Sequence, residues 1–162
     1  VDGKLDWLHQ YETAGEDYGY KAFFETLGAV VMGSRTYMDI VGFDKGWVYP
    51  GLECVVMTRR TGLPVIEGSG AQFRQGDVAA VIDDLKQRTK KHIWLVGGGD
   101  LAAQFLTAGI LDEVQVTFMP VLLGGGAPLF PPFDGRYPLT MTAHAVYPNG
   151  VINATYLVGK AR

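Results

Sequence analysis

Three short stretches of this 162-residue chain carry residue types and spacings suited to holding a polyanion. The first is Gly33-Ser34-Arg35-Thr36, a glycine, a fixed cation and two hydroxyls directly after the apolar run Ala29-Val30-Val31-Met32. The second is Thr58-Arg59-Arg60, a hydroxyl and paired cations after Cys54-Val55-Val56-Met57. The third is Gly97-Gly98-Gly99, which follows Ile93-Trp94-Leu95-Val96 and leads into Leu101, Ala102, Phe105 and Leu106 at helical spacing. A strand that passes through glycines into a helix leaves backbone N–H groups free at the helix start, with no Cβ to keep an anion away. Taken singly, each stretch has a plainer reading. One arginine after a strand is a surface charge, and a glycine turn lets a helix pack on its strand. All three together, at the carboxyl ends of strands where open α/β sheets gather their ligands, point to a ligand with several phosphates.

The elements that must position these stretches are legible from periodicity. Residues 1–16 read as loop. Residues 17–27 read as a helix with Tyr20, Phe23, Phe24 and Leu27 on one side, stopped by Gly28. A strand over 29–32 leads into a helix from Thr36 to about Val41, and 42–51 is a loop rich in glycine and aromatics. A buried strand follows over 54–57, with short strands expected at 64–66 and 72–74. Asp77 caps a helix through about Thr89 that places Val78, Val81, Ile82 and Leu85 on one face. After the glycine-rich unit come a strand over 112–119 and a long turn over 120–128. Strands over 139–147 and 151–159 are joined across Pro148-Asn149-Gly150, where Asn-Gly is a strong hairpin signal. Strands alternating with helices and closed by a β-rich tail predict one α/β domain over 1–162. Its sheet is mostly parallel and mixed, with an antiparallel C-terminal hairpin.

Composition narrows the partners. Hydrophobic residues make up 48% and charged residues 19%, an ordinary globular balance. A net charge of −3 without a long basic run argues against nucleic acid. No apolar run approaches the roughly 20 residues that span a bilayer, and Val1 opens no recognisable signal peptide. Cys54 is the single cysteine, so no internal disulfide can form. It reads as core filler, compatible with a reducing cytoplasm. His9, His92 and His144 lack metal-ligand spacing, and no metal is expected.

Gly97-x-Gly99-x-x-Ala102 formally fits a dinucleotide fingerprint, but that fold needs an acid about 20 residues on, at the end of the next strand. Here Asp112 and Glu113 precede the next strand, so the Rossmann reading fails. The ordered set VVMGSRTY, VVMTR, WLVGGGDLAAQFL and TFMPVLLGGGAPLF instead resembles the dihydrofolate reductase fold. It is especially similar to the reductase domain of the bacterial riboflavin-biosynthesis deaminase/reductase. The resemblance implies a three-layer α/β/α domain with NADPH as cofactor and a possible homodimer. It implies that Gly97, Gly98, Gly99 and the helix start at Asp100 and Leu101 hold the pyrophosphate, with Gly33, Ser34, Arg35 and Thr36 helping. By the same likeness Thr58 and Arg59 meet the 2′-phosphate, as a guanidinium fork suits that group. Val96 lies beside the nicotinamide, and the Gly97–Gly98 peptide is expected to be cis.

Two departures qualify the likeness. Leu52 stands where true dihydrofolate reductases keep an arginine that clamps the glutamate tail of folate. The chain also begins at a point the resemblance places after a first, central strand. For catalysis, Asp17 falls where the folate enzymes keep their carboxylate. It either relays a proton to a ring nitrogen or simply helps start the helix. Asp2 is a second candidate, for substrate contact or for shaping a loop over the nicotinamide. The expected function is NADPH-dependent hydride transfer to a small pterin- or pyrimidine-type heterocycle, with or without a ribosyl group. A genuine dihydrofolate reductase and a nucleotide-binding protein without turnover are the alternatives.

Overall fold

A computed structural model describes residues 6–12, 15–43 and 45–161. Asp2 therefore lies outside the described residues. The strands β1 (Leu27–Gly33), β2 (Glu53–Met57), β3 (Gln72–Arg74) and β4 (His92–Gly97) form a wholly parallel sheet in the order β3-β2-β1-β4. Successive side chains of a strand face opposite ways, and β1 divides its apolar residues accordingly. Ala29 and Val31 enter a core with Val81, Ile82 and Leu85 of α3 (Val78–Arg88) and Leu101 and Phe105 of α4 (Gly99–Thr107). Val30 and Met32 enter a second core with Tyr37 and Ile40 of α2 (Ser34–Val41), and Phe24 of α1 (Tyr20–Glu25) packs against its edge. Helices thus cover both faces of the parallel sheet, giving the expected three layers. Asp77 caps α3 as the sequence predicts, its carboxylate accepting from the Ala79 N–H at 3.1 Å.

The antiparallel part is a sheet of its own among the described residues. Here β5 (Glu113–Phe118), β6 (Leu139–Val146) and β7 (Ile152–Val158) pair in the order β5-β7-β6. The expected single mixed sheet is therefore divided in two, and β5 joins the tail hairpin. Asn149-Gly150 makes the hairpin turn, with Gly150 at φ +84° and its N–H donating to the Tyr147 carbonyl at 2.9 Å.

Three local expectations are corrected. The helix predicted over 17–27 is only α1, because Leu27 and Gly28 belong to β1. Gly28 is no helix stop. A Cβ there would lie 2.1 Å from Thr89 Oγ1, so the glycine admits the turn before β4 against β1. Residues 64–66 form no strand, since the Ile66 N–H and the Pro64 carbonyl bond the buried Tyr37 hydroxyl and not a neighbouring strand. In the segment read as loop, Asp6–Tyr11 forms a 3-10 helix. No helix of the described residues is long and apolar enough to cross a membrane.

Candidate functional site

Parallel pairing brings the carboxyl ends of all four strands to one edge. A cleft of about 820 Å³ opens there. Gly33, Ser34 and Arg35 line it after β1, Thr58, Arg59 and Arg60 after β2, and Gly98, Gly99, Asp100 and Leu101 after β4. The three stretches singled out by residue type therefore share one cavity. Thr36 stands just behind, its Oγ1 lying 3.7 Å from where a Cβ of Gly97 or Gly98 would be. Val96 and Gly97 belong to β4 and do not line the cleft.

Two of the helices that start at this edge, α2 and α4, are capped by glycine. Gly33 precedes α2 and Gly98 precedes α4, and neither cap supplies a side-chain hydrogen bond. The first N–H groups of an α-helix have no intrahelical acceptor, so each start leaves donors and a partial positive charge directed at the cleft. The Gly97–Gly98 peptide is cis, as the resemblance implied. Gly99 is the tightest of the three glycines here. A Cβ would lie 3.1 Å from the Leu129 carbonyl oxygen and 3.2 Å from Pro131 Cδ, so any larger residue would push the 128–131 loop a few tenths of an ångström off the helix start.

The charges are arranged unequally. Arg35 Nη2 donates to Asp100 Oδ2 at 2.8 Å across the gap between the two helix starts, an exposed pair. Arg59 and Arg60 are exposed and have no carboxylate partner among the described residues. Thr58 Oγ1 accepts from the Arg60 N–H at 2.9 Å, and the Thr58 N–H donates to the Arg74 carbonyl at 2.8 Å. These bonds fix the backbone from which both guanidinium groups reach out. The donor set suits a phosphorylated dinucleotide: uncapped N–H groups for a pyrophosphate, and two unpaired guanidinium groups for a further phosphate.

Other wall residues carried no sequence signal. Gln75 and Gly76 follow β3, Gln104 lies one turn into α4, and Ala127, Pro128 and Pro131 complete the lining beside Gly99. The proline loop joins the cleft through tertiary packing alone.

Asp17 lies elsewhere. Its Oδ2 accepts from the Lys21 N–H and its Oδ1 from the Gly19 N–H, each at 2.9 Å. Those backbone donors, Lys21 first and Gly19 second, hold its carboxyl below the ordinary value of 3.8. It is fully exposed and ionised at neutral pH, and it lines no part of the cleft. Of its two sequence readings, this geometry is that of a helix starter. Leu52 packs half-buried against the second core. Cys54 is completely buried in that core, and burial pushes its thiol up to about 12. His9, His92 and His144 are all exposed.

Comparison with known proteins agrees with this geometry. Residues 49–152 match the model of the RibD C-terminal domain family. The uncharacterized protein YwjB of Bacillus subtilis is 34% identical over 130 residues, which are 80% of this chain and 72% of that protein. A Shewanella protein (strain PV-4) assigned provisionally to riboflavin biosynthesis superposes with a TM-score of 0.84 at 28% identity. That match covers 98% of this chain and 90% of the other. Acinetobacter baumannii RibD shares the fold, with a TM-score of 0.66 at 15% identity, and the match covers 91% of this chain and 52% of that longer one.

Proposed function

This chain belongs to the RibD C-terminal domain family, and from that premise we propose that it is an NADPH-dependent oxidoreductase acting on a small heterocycle. The substrate class is a pterin or pyrimidine derivative, with or without a ribosyl group, as in 5-amino-6-(5-phosphoribosylamino)uracil reductase. The observation that carries the proposal is the meeting of two glycine-capped helix starts and two unpaired arginines in one cleft.

NADPH, when bound, supplies the hydride. The chain supplies binding and orientation. The free N–H groups at the starts of α2 and α4, with Ser34 and Thr36 beside them, take the pyrophosphate. Arg59, supported by Thr58 and with Arg60 next to it, takes the 2′-phosphate. Val96, one residue before the glycines on β4, is assigned to the nicotinamide side. Asp17 enters only as a fixed negative charge at the start of α1, because an ionised carboxylate with both oxygens engaged has no proton to give. Asp2 stays a second candidate, for substrate contact or for shaping a loop over the nicotinamide. A cytoplasmic setting suits the unoxidised Cys54.

Leu52 supports a substrate without a glutamate tail, against a genuine dihydrofolate reductase. The test is loss of NADPH absorbance at 340 nm on adding pyrimidine and pterin substrates with and without such a tail. Turnover of a tail-less heterocycle is expected. NADPH binding without oxidation of any of them would make the chain a nucleotide-binding protein. Absence of NADPH binding would overturn the proposal altogether.

A further inference from the structure

The charges that line the cleft do not all favour an anion. Arg35, Arg59 and Arg60 supply cations, and Asp100 is the single carboxylate among the described lining residues. Asp100 stands in the first turn of α4, directly after Gly99, at a helix start whose free N–H groups face the cleft. A carboxylate there suits the helix itself, because the positive end of the macrodipole favours negative charge. The same dipole and the same N–H groups draw a phosphate to that place. Carboxylate and phosphate therefore compete for one position.

Arg35 is the partner of Asp100. The caps of the two helices lie against each other, since a Cβ on Gly33 would come within 3.8 Å of the Gly98 nitrogen. Arg35, two residues after Gly33, reaches across this gap, and its Nη2 donates to Asp100 Oδ2 at 2.8 Å. Both side chains are largely open to water, 87% exposed for Arg35 and 69% for Asp100. An ion pair so exposed adds little to folding stability and opens readily. Its effect is to hold a guanidinium between two helix starts, with that guanidinium's charge already matched by a carboxylate.

Resting on the reading of the cleft as a dinucleotide site, we propose that the Asp100 side chain is an exchangeable stand-in for the pyrophosphate and sets how long the cofactor is held. Carboxylate and phosphate oxygens accept from the same guanidinium donors. When the pyrophosphate enters, Arg35 passes from Asp100 to it, and Asp100 stays beside the bound anion as a like charge. Both effects weaken the bound state. The backbone N–H groups of α4 still take the pyrophosphate, and the Asp100 side chain opposes them. Three arginines and two helix starts without this counterweight would release a dinucleotide slowly. An oxidised cofactor must leave before a reduced one enters, and release of product limits turnover in many enzymes.

Isothermal titration and stopped-flow dissociation with NADPH and NADH test this on wild type, Asp100→Asn, Arg35→Gln and the double variant. Asp100→Asn is expected to tighten both cofactors by about three- to tenfold, the scale of removing one screened charge near a doubly charged anion. The gain should come chiefly from slower dissociation and should shrink at high salt. Arg35→Gln should weaken both cofactors, and in that background Asp100→Asn should gain less, because no pair is left to break. A residue that only started α4 would lose stability on replacement by asparagine and leave cofactor binding unchanged. Unchanged or weaker binding in Asp100→Asn, with wild type binding NADPH, would overturn this inference alone. So would an equal gain with and without Arg35. If none of the four proteins binds either cofactor, the proposed function and this inference fall together.

Discussion

Replacing Arg59 by alanine should separate the two nicotinamide cofactors. The guanidinium is exposed and makes no ion pair among the described residues, so the free protein loses no ion pair there. Stability should stay within about 0.5 kcal/mol, as for surface changes generally. The bound state loses a charge-assisted hydrogen bond to a phosphate, ordinarily about 1.5–3 kcal/mol. The open cleft mouth argues for the lower half of that range, because solvent screens an exposed pair. Arg60 remains beside the vacancy, held by the Thr58 Oγ1 contact at 2.9 Å, and recovers part of the loss. NADPH affinity should therefore fall by about 10- to 30-fold, at about 1.4 kcal/mol per tenfold. NADH lacks the 2′-phosphate and should change less than about twofold. The Arg59→Ala/Arg60→Ala pair should lose more for NADPH than either single change. Isothermal titration with both cofactors at low and high salt is the assay, the NADPH difference shrinking as salt rises. Equal losses for the two cofactors would refute the placement of the 2′-phosphate at Arg59.

Leu52→Arg should lower KM for dihydrofolate more than for a tail-less pterin, read by steady-state NADPH oxidation. Leu52 packs against the second core, so the variant should also lose about 1 kcal/mol of stability in urea. Gly28→Ala should destabilise by about 1–3 kcal/mol, since its Cβ would overlap Thr89 Oγ1 and Cβ. Thermal melts of this variant and of Gly28→Ala/Thr89→Gly should differ, the second change returning part of the loss. Asp17 has a depressed folded-state value, so its contribution is present above 3.8 and is lost as pH falls through the folded value. Wild type and Asp17→Asn should therefore converge in stability at low pH and diverge above it. A constant difference across that window in urea titrations would remove Asp17 from the start of α1.

Local chemistry made much of this protein readable in one dimension. Apolar runs such as Val30–Met32 and Cys54–Val56 need both faces covered, so they imply buried parallel strands whatever follows. Asp77 before Val78, Val81, Ile82 and Leu85, and Asn149-Gly150 between two strands, are short-range signals. Their physics is complete within a few residues, and the structure realises both. The cleft was legible for the same reason, because parallel strands point their carboxyl ends one way, so glycines and arginines placed after them must converge. Long-range packing decided the rest. Gly28 is a close approach to Thr89, a residue far along the chain, and no neighbour of Gly28 records it. Gln75, Gln104 and Pro131 enter the cleft because separate elements fold over it, and their side chains advertise nothing by type. Asp17 was ambiguous in sequence since an acid at a helix start serves either packing or catalysis. Only the positions of the Gly19 and Lys21 N–H groups engage both its oxygens. The division into two sheets depends on which strands find hydrogen-bonding neighbours. Pairing is a property of the assembled chain, and the strands' own alternation is the same either way.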